Sequence, residues 1–137
     1  MELYIGGCAQ GKLNYVLRQY EDPQNCSVWE CRTESSGEKI KAYLQQGKKT
    51  EPVIINHFHC LVKEMLLTGE NPEELVQRIL ECYPACIIIS DEIGNGIVPI
   101  AKDERAYREQ TGRILIALAE KAERVERILC GLGQRLK

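Results

Sequence analysis

The sequence predicts an α/β fold with a mostly parallel sheet and helices on both faces, and three observations carry that expectation. Short, wholly apolar runs near residues 3–5, 53–55 and 85–89 have the length and β-branched content of central parallel strands. Segments with apolar residues at helical spacing separate them. The first run leads into Gly6-Gly7 and, five residues on, into Gly11-Lys12, the strand–loop–helix setting of a phosphate-binding loop.

Residues 3–5 form the first expected strand. Tyr15, Val16, Gln19 and Tyr20 then share helical spacing over 12–20, and Asp22-Pro23 ends that helix. A second short strand is expected over 26–31. Ser35 or Ser36 caps a helix with Ile40, Tyr43 and Leu44 on one face, closed by Gly47. The run 52–56 is too short for a helix and reads as a buried strand, followed by a helix over 59–68. Asn71-Pro72-Glu73-Glu74 combines a capping side chain, a proline at the first helical position and acids in the first turn. Leu75, Ile79 and Leu80 of that helix face the core, and Pro84 stops it. A strand over 85–90 follows. Asp103 opens a long helix that carries Tyr107, Thr111, Ile114, Leu115, Leu118 and Ala122 on one side, and residues 125–130 are the last expected strand.

A chain of 137 residues suits one domain spanning 1–137, and 44% hydrophobic with 28% charged residues is the balance of a soluble globular protein. The formal net charge of −2 gives no electrostatic case for nucleic acid or an anionic membrane. No run approaches the roughly 18 apolar residues of a membrane-spanning helix, and the N-terminus lacks a basic start and a long apolar stretch. Seven scattered cysteines with no CxxC pair argue for reduced thiols in a cytoplasmic protein, and they are expected to act as small buried hydrophobes.

Residues 6–13 match G-x-x-x-x-G-K-[ST] up to the last position, so Gly6, Gly7, Cys8, Ala9, Gln10, Gly11, Lys12 and Leu13 are the candidate nucleotide-binding residues. Glycines let successive backbone N–H groups turn toward an anion, the next helix adds its positive end, and the lysine neutralises the outer phosphates. Leu13 stands where a Ser or Thr oxygen normally meets magnesium, and it cannot ligate a hard cation. Efficient phosphoryl transfer depends on that metal.

A second signature runs from Ser90 to Pro99. Gly94 and Gly96 flank Asn95 in a tight loop at the carboxyl end of a buried strand, where open α/β sheets place ligands. Asp91 and Glu92 stand at its mouth as candidates to hold magnesium or act as a base. Arg105 and Arg108, with Arg113, follow on the long helix as candidate phosphate partners, and Glu104 and Glu109 are their alternative partners.

The stretch DEIGNGIVP…R-x-Y-R-E-x-x-G-R, from Asp91 to Arg113, and the terminal CGLGQRLK resemble the bifunctional adenosylcobinamide kinase/adenosylcobinamide-phosphate guanylyltransferases. The match covers both ends of the chain in order. The resemblance implies a RecA-like P-loop fold, often trimeric, that phosphorylates the aminopropanol hydroxyl of adenosylcobinamide and then transfers GMP from GTP. It further implies GTP or ATP and Mg2+ as cofactors, a nucleotide and a corrinoid as small-molecule partners, and a guanylylated histidine between the phosphate loop and the next central strand.

Three positions depart from the family pattern. Leu13 replaces the loop serine. No histidine lies before Pro52, so a covalent GMP-histidine cannot form there, although Trp29 to Glu34 vaguely resembles the family's tryptophan-arginine-threonine stretch. The central strand ends in Asn56-His57-Phe58-His59-Cys60 instead of an acid and a cysteine. If the backbone stays extended, His57 and His59 point to the same side, as a metal pair, a substitute acceptor or a proton shuttle. Alternatively one histidine caps the next helix and the other packs on the sheet. The candidate catalytic set is therefore Lys12, Glu92, His57 and His59. Three functions fit: a kinase-like enzyme of corrinoid biosynthesis with or without guanylyl transfer, a catalytically silent nucleotide- or corrinoid-binding subunit, and a small metal-binding protein using His57 and His59.

Overall fold

The computed structural model describes residues 1–47, 51–94 and 100–137. Strands β1 (Glu2–Gly6), β2 (Ser27–Glu30), β3 (Val53–Asn56), β4 (Ile87–Asp91), β5 (Arg124–Leu129) and β6 (Leu132–Arg135) form one sheet in the order β2-β3-β4-β1-β5-β6. All pairings are parallel except β5 with β6. The helices are α1 (Lys12–Leu17), α2 (Ser36–Gln45), α3 (Phe58–Leu67), α4 (Pro72–Cys82) and α5 (Lys102–Lys121).

Strand side chains alternate between two unequal cores. Leu3, Ile55, Ile88 and Val125 face α2–α5, where they pack with Ile40, Leu61, Val62, Ile79, Ile114 and Leu118. Tyr4, Ile54, Ile87, Ile89 and Ile128 face the other way and meet α1 through Val16. Helices cover both faces as expected, but among the described residues one face has four helices and the other a single short one.

The differences from expectation lie at element ends. The helix expected over 12–20 stops at Leu17, because Gln19 and Tyr20 donate to Val16 and Leu17, three residues back, and tighten the last turn. Neither Ser35 nor Ser36 caps α2 with its side chain. Ser35 occupies the cap position, and Glu64 of α3 accepts instead from the backbone N–H groups of Ser36 and Gly37 at 3.0 and 3.1 Å. Asn71 caps α4 as expected, accepting from Glu73 N at 3.0 Å. Asp103 lies in the first turn of α5 rather than at its cap, which is Ala101. Of the cysteines, Cys31 and Cys86 are buried whereas Cys8 and Cys130 are exposed; all seven are free thiols.

Strand β6 was not expected. It follows a two-residue turn, Cys130-Gly131, with φ of 51° and 76°, and Leu129 pairs with Leu132 across it. Two successive left-handed residues make the tight hairpin whose twist matches the strands. That turn also braces the phosphate loop: Cys130 N donates to Gln10 Oε1 at 2.6 Å, and Gly131 N to Gln10 O at 3.0 Å.

Gly6, the last residue of β1, is required by close approach. A Cβ there would lie 2.4 Å from the Ile128 carbonyl oxygen. Gly112, inside α5, has open space at its Cβ position. Gly6→Ala should therefore lose about 1–3 kcal/mol by overpacking, and Gly112→Ala should gain about 0.5–1 kcal/mol. Urea unfolding of the two variants beside the parent checks the opposite signs.

Candidate active site

Strand register brings the cleft together. Gly6 pairs with Asp91 across β1 and β4, and Glu30 pairs with Asn56 across β2 and β3, so four carboxyl-terminal strand ends share one edge of the sheet. Ala9, Gln10, Gly11, Lys12 and Leu13 line a cleft there together with Glu30, Asn56, His57 and Asp91. Ala9 and Gly11 hold the loop's curvature with φ of 56° and 75°. Because α1 has only six residues, its dipole is small, and the cationic side chain that lines the cleft is Lys12.

Lys12 Nζ donates to Gly7 O at 2.6 Å and to Gly6 O at 3.4 Å, and it pairs with Asp91 Oδ1 at 2.6 Å. The two side chains are 7% and 13% exposed. Asp91 in turn is tied to α3: its backbone N–H donates to His59 Nδ1 at 3.1 Å. That bond requires Nδ1 to be unprotonated, so Nε2 carries the hydrogen and faces Cys60 Sγ at 3.3 Å, with Asp91 Oδ2 at 3.6 Å. Burial pushes the His59 pKa down, and the nearby Asp91 charge opposes that without reversing it. Burial also raises the pKa of Cys60, which remains a thiol.

His57 does something different. The backbone does not stay extended: His57 turns into the left-handed region (φ 55°, ψ 45°) as the residue that precedes α3, and its side chain makes no capping bond. A histidine there costs on the order of 1–2 kcal/mol. The two imidazoles still meet, with ring centroids 5.9 Å apart, because the turn replaces strand alternation. His57 Nδ1 lies 2.6 Å from Glu30 Oε1. Glu30 also accepts from Asn56 Nδ2 at 2.8 Å and from Arg32 N at 3.1 Å. Burial works against the Glu30 charge, but the bonds from Asn56, His57 and Arg32 outweigh it and hold the pKa below the ordinary value. Glu30 was absent from the candidates read from sequence; its signal was its position at the end of an expected strand, where α/β sheets place ligands.

Of the other candidates, Glu92, Arg105, Arg108 and Arg113 do not line the cleft. Glu92 leaves β4 on the opposite side from Asp91 and pairs with Arg127 Nη2 at 2.9 Å. Arg105 donates to Ile100 O at 2.5 Å, and neither Arg105 nor Arg108 lines the cleft. Arg113 pairs with Glu109, whereas Glu104 pairs with Lys63. Gly94 lies in the turn after β4; Gly96, with residues 95–99, is outside the described residues. Leu13, at the cleft's edge, also packs against the smaller core. Among the described residues no three metal-ligating side chains converge, so the His57/His59 metal pair has no third ligand.

A family model described as cobinamide kinase / cobinamide phosphate guanyltransferase matches residues 9–136. The bifunctional adenosylcobalamin biosynthesis protein CobP of Pseudomonas aeruginosa is 37% identical over 71 residues, 52% of this chain and 40% of that protein. The corresponding protein CobU of Escherichia coli is 29% identical over 65 residues, 47% of this chain and 36% of that protein. The matched stretches span less than half the length of these curated relatives.

The lowered pKa of His59 has a sign that can be checked. The unfolded chain takes up a proton near pH 6.5 that the folded chain resists, so the stability this provides is complete above about pH 6.5 and is lost as pH falls toward the depressed folded value. Urea midpoints should decline from pH 7.5 to pH 5.5, and His59→Gln should flatten that decline.

Proposed function

This chain belongs to the cobinamide kinase / cobinamide phosphate guanyltransferase family, and on that footing we propose that it is a nucleotide-dependent kinase of cobalamin biosynthesis or salvage. In this reading it transfers the γ-phosphoryl group of GTP or ATP to the hydroxyl of an adenosylcobinamide-type corrinoid. The observation that carries the reading is Lys12, anchored on the Gly6 and Gly7 carbonyls and paired with Asp91 at the mouth of a glycine-turned loop. An entering phosphate competes with Asp91 for that ammonium group.

The donor set fits a divalent cation with one substitution of role. Leu13 offers no oxygen and Glu92 is held by Arg127, so Asp91 is the residue that would hold Mg2+ beside the phosphates. A nucleoside triphosphate brings several negative charges next to Asp91, and Lys12 offsets one of them; Mg2+ supplies the remaining neutralisation when bound. Lys12 orients the outer phosphates, and the glycines at 6, 7 and 11 keep the loop backbone free to curve around them.

Guanylyl transfer through a covalent histidine has less support, because residues 1–56 contain no histidine. A catalytically silent binding subunit is the second reading, favoured by Leu13. Exposed apolar side chains at Ile116, Leu129, Leu132 and Leu136 favour a homo-oligomer, which the family resemblance makes a trimer. No helix among the described residues is long and apolar enough to cross a membrane, and we place the reaction in the cytoplasm.

The test is incubation with γ-labelled GTP, and separately ATP, with Mg2+ and adenosylcobinamide. Label should reach the corrinoid with the parent protein and fall by about 10²-fold or more with Lys12→Ala, by analogy with the loss of one preorganised charge-stabilising donor. Nucleotide binding without transfer would instead establish the silent subunit.

A further inference from the structure

The kinase reading uses Lys12 and Asp91 but leaves idle a Glu–His pair in the same cleft. Glu30 Oε1 holds His57 Nδ1 at 2.6 Å. The carboxylate is itself fixed, by Asn56 Nδ2 on one oxygen and by Arg32 N on the other. Three donors from two strand ends thus hold the Glu30 carboxylate in place. With Nδ1–H donated to Glu30, the imidazole nitrogen left for chemistry is Nε2. The strained left-handed backbone at His57 (φ 55°) is the kind of local distortion that concentrates at functional sites.

We propose that His57, oriented by Glu30, is the general base that takes the proton of the acceptor hydroxyl during phosphoryl transfer. The inference rests on the kinase reading above. In the step, the substrate oxygen forms a bond to the γ-phosphorus while the bond from that phosphorus to the β,γ-bridging oxygen breaks, and the nucleoside diphosphate leaves with that electron pair. The hydroxyl proton passes to His57 Nε2, and the resulting imidazolium is stabilised by the Glu30 carboxylate until it releases the proton to water.

Two neighbours are poorly suited to the same task. His59 has Nδ1 occupied by the Asp91 N–H and Nε2 directed at Cys60, and it is 11% exposed. Asp91 is held by Lys12. The titratable and charged groups around His57 are Glu30 and Arg32 from the end of β2, His59 from α3, Asp91 from β4 and Lys12 from α1. Glu30 is a positioning residue in this scheme and does not touch the reacting atoms.

The experiment compares the parent, His57→Gln and Glu30→Gln in labelled transfer from GTP to adenosylcobinamide between pH 5.5 and 9, with nucleotide affinity measured separately by titration calorimetry. His57→Gln should lower kcat by about 10²–10⁴-fold, leave nucleotide affinity essentially unchanged and abolish the acidic limb of the kcat profile. Glu30→Gln should lower kcat less and displace that limb. His57→Gly, whose backbone suits the left-handed turn, should recover part of the rate on addition of imidazole, which separates lost chemistry from lost folding. Transfer by His57→Gln at the parental rate with the acidic limb intact would overturn the assignment while leaving the kinase reading in place. Label remaining on His57 after denaturation would overturn it in favour of a covalent acceptor. A parent protein that binds nucleotide and never labels the corrinoid would remove the kinase reading, and the base with it.

Discussion

Lys12 and Asp91 meet at 2.6 Å with little exposure to water, and the groups around them are arranged by what a buried ion pair demands. Removing two charges from water costs several kcal/mol per ion even after relaxation, so each charge needs further partners. Lys12 finds them in the carbonyls of Gly6 and Gly7. Asp91 occupies its place because β4 pairs with β1 in the register Gly6↔Asp91, and its backbone N–H is satisfied by His59. The pair thereby joins the end of β1, the start of α1, the end of β4 and the first turn of α3. A shift of register in any of these would strand a charge.

That dependence explains what the sequence disclosed and what it hid. Strands β1, β3 and β4 are buried on both faces and read as unbroken apolar runs, so residues 3–5, 53–55 and 87–89 announce themselves. β6 has four exposed residues and carries no such pattern; its one signal was Cys130-Gly131, two residues able to turn left-handed in succession. The cap of α4 is local and legible in Asn71, whereas the cap of α2 comes from Glu64, 28 residues beyond the Ser36 N–H that it accepts, and no local rule reports it.

The site divides in the same way. The phosphate loop is contiguous, so its spacing shows it. The Glu30–His57 pair spans two strand ends and becomes visible only once β2 and β3 are known to pair Glu30 with Asn56. Asp91 and Glu92 look equivalent as neighbouring acids, but Glu92 N continues the ladder by donating to Gly6 O, and the strand alternation that follows sends its carboxylate to Arg127. His57 and His59 do come together, by a left-handed turn and the start of a helix instead of by an extended backbone.

Leu13 connects the composition of the loop to the asymmetry of the fold. Among the described residues, the face of the sheet formed by Tyr4, Ile54, Ile87, Ile89 and Ile128 is covered by the single helix α1, which runs for six residues, together with Tyr20 and Cys26. Buried apolar area contributes roughly 25 cal/mol per Å², and on so short a helix few positions can supply it. Leucine at position 13 packs against that thin core where a hydroxyl would serve a cation. Polar chemistry lost from the α1 side of the cleft has a counterpart on the β2–β3 side, where Glu30, Asn56 and His57 form a bonded cluster facing the same loop. In the proposed kinase the same sheet edge would tolerate an apolar residue at the loop's last position, with Lys12 and Asp91 at the phosphate end and the β2–β3 cluster at the other.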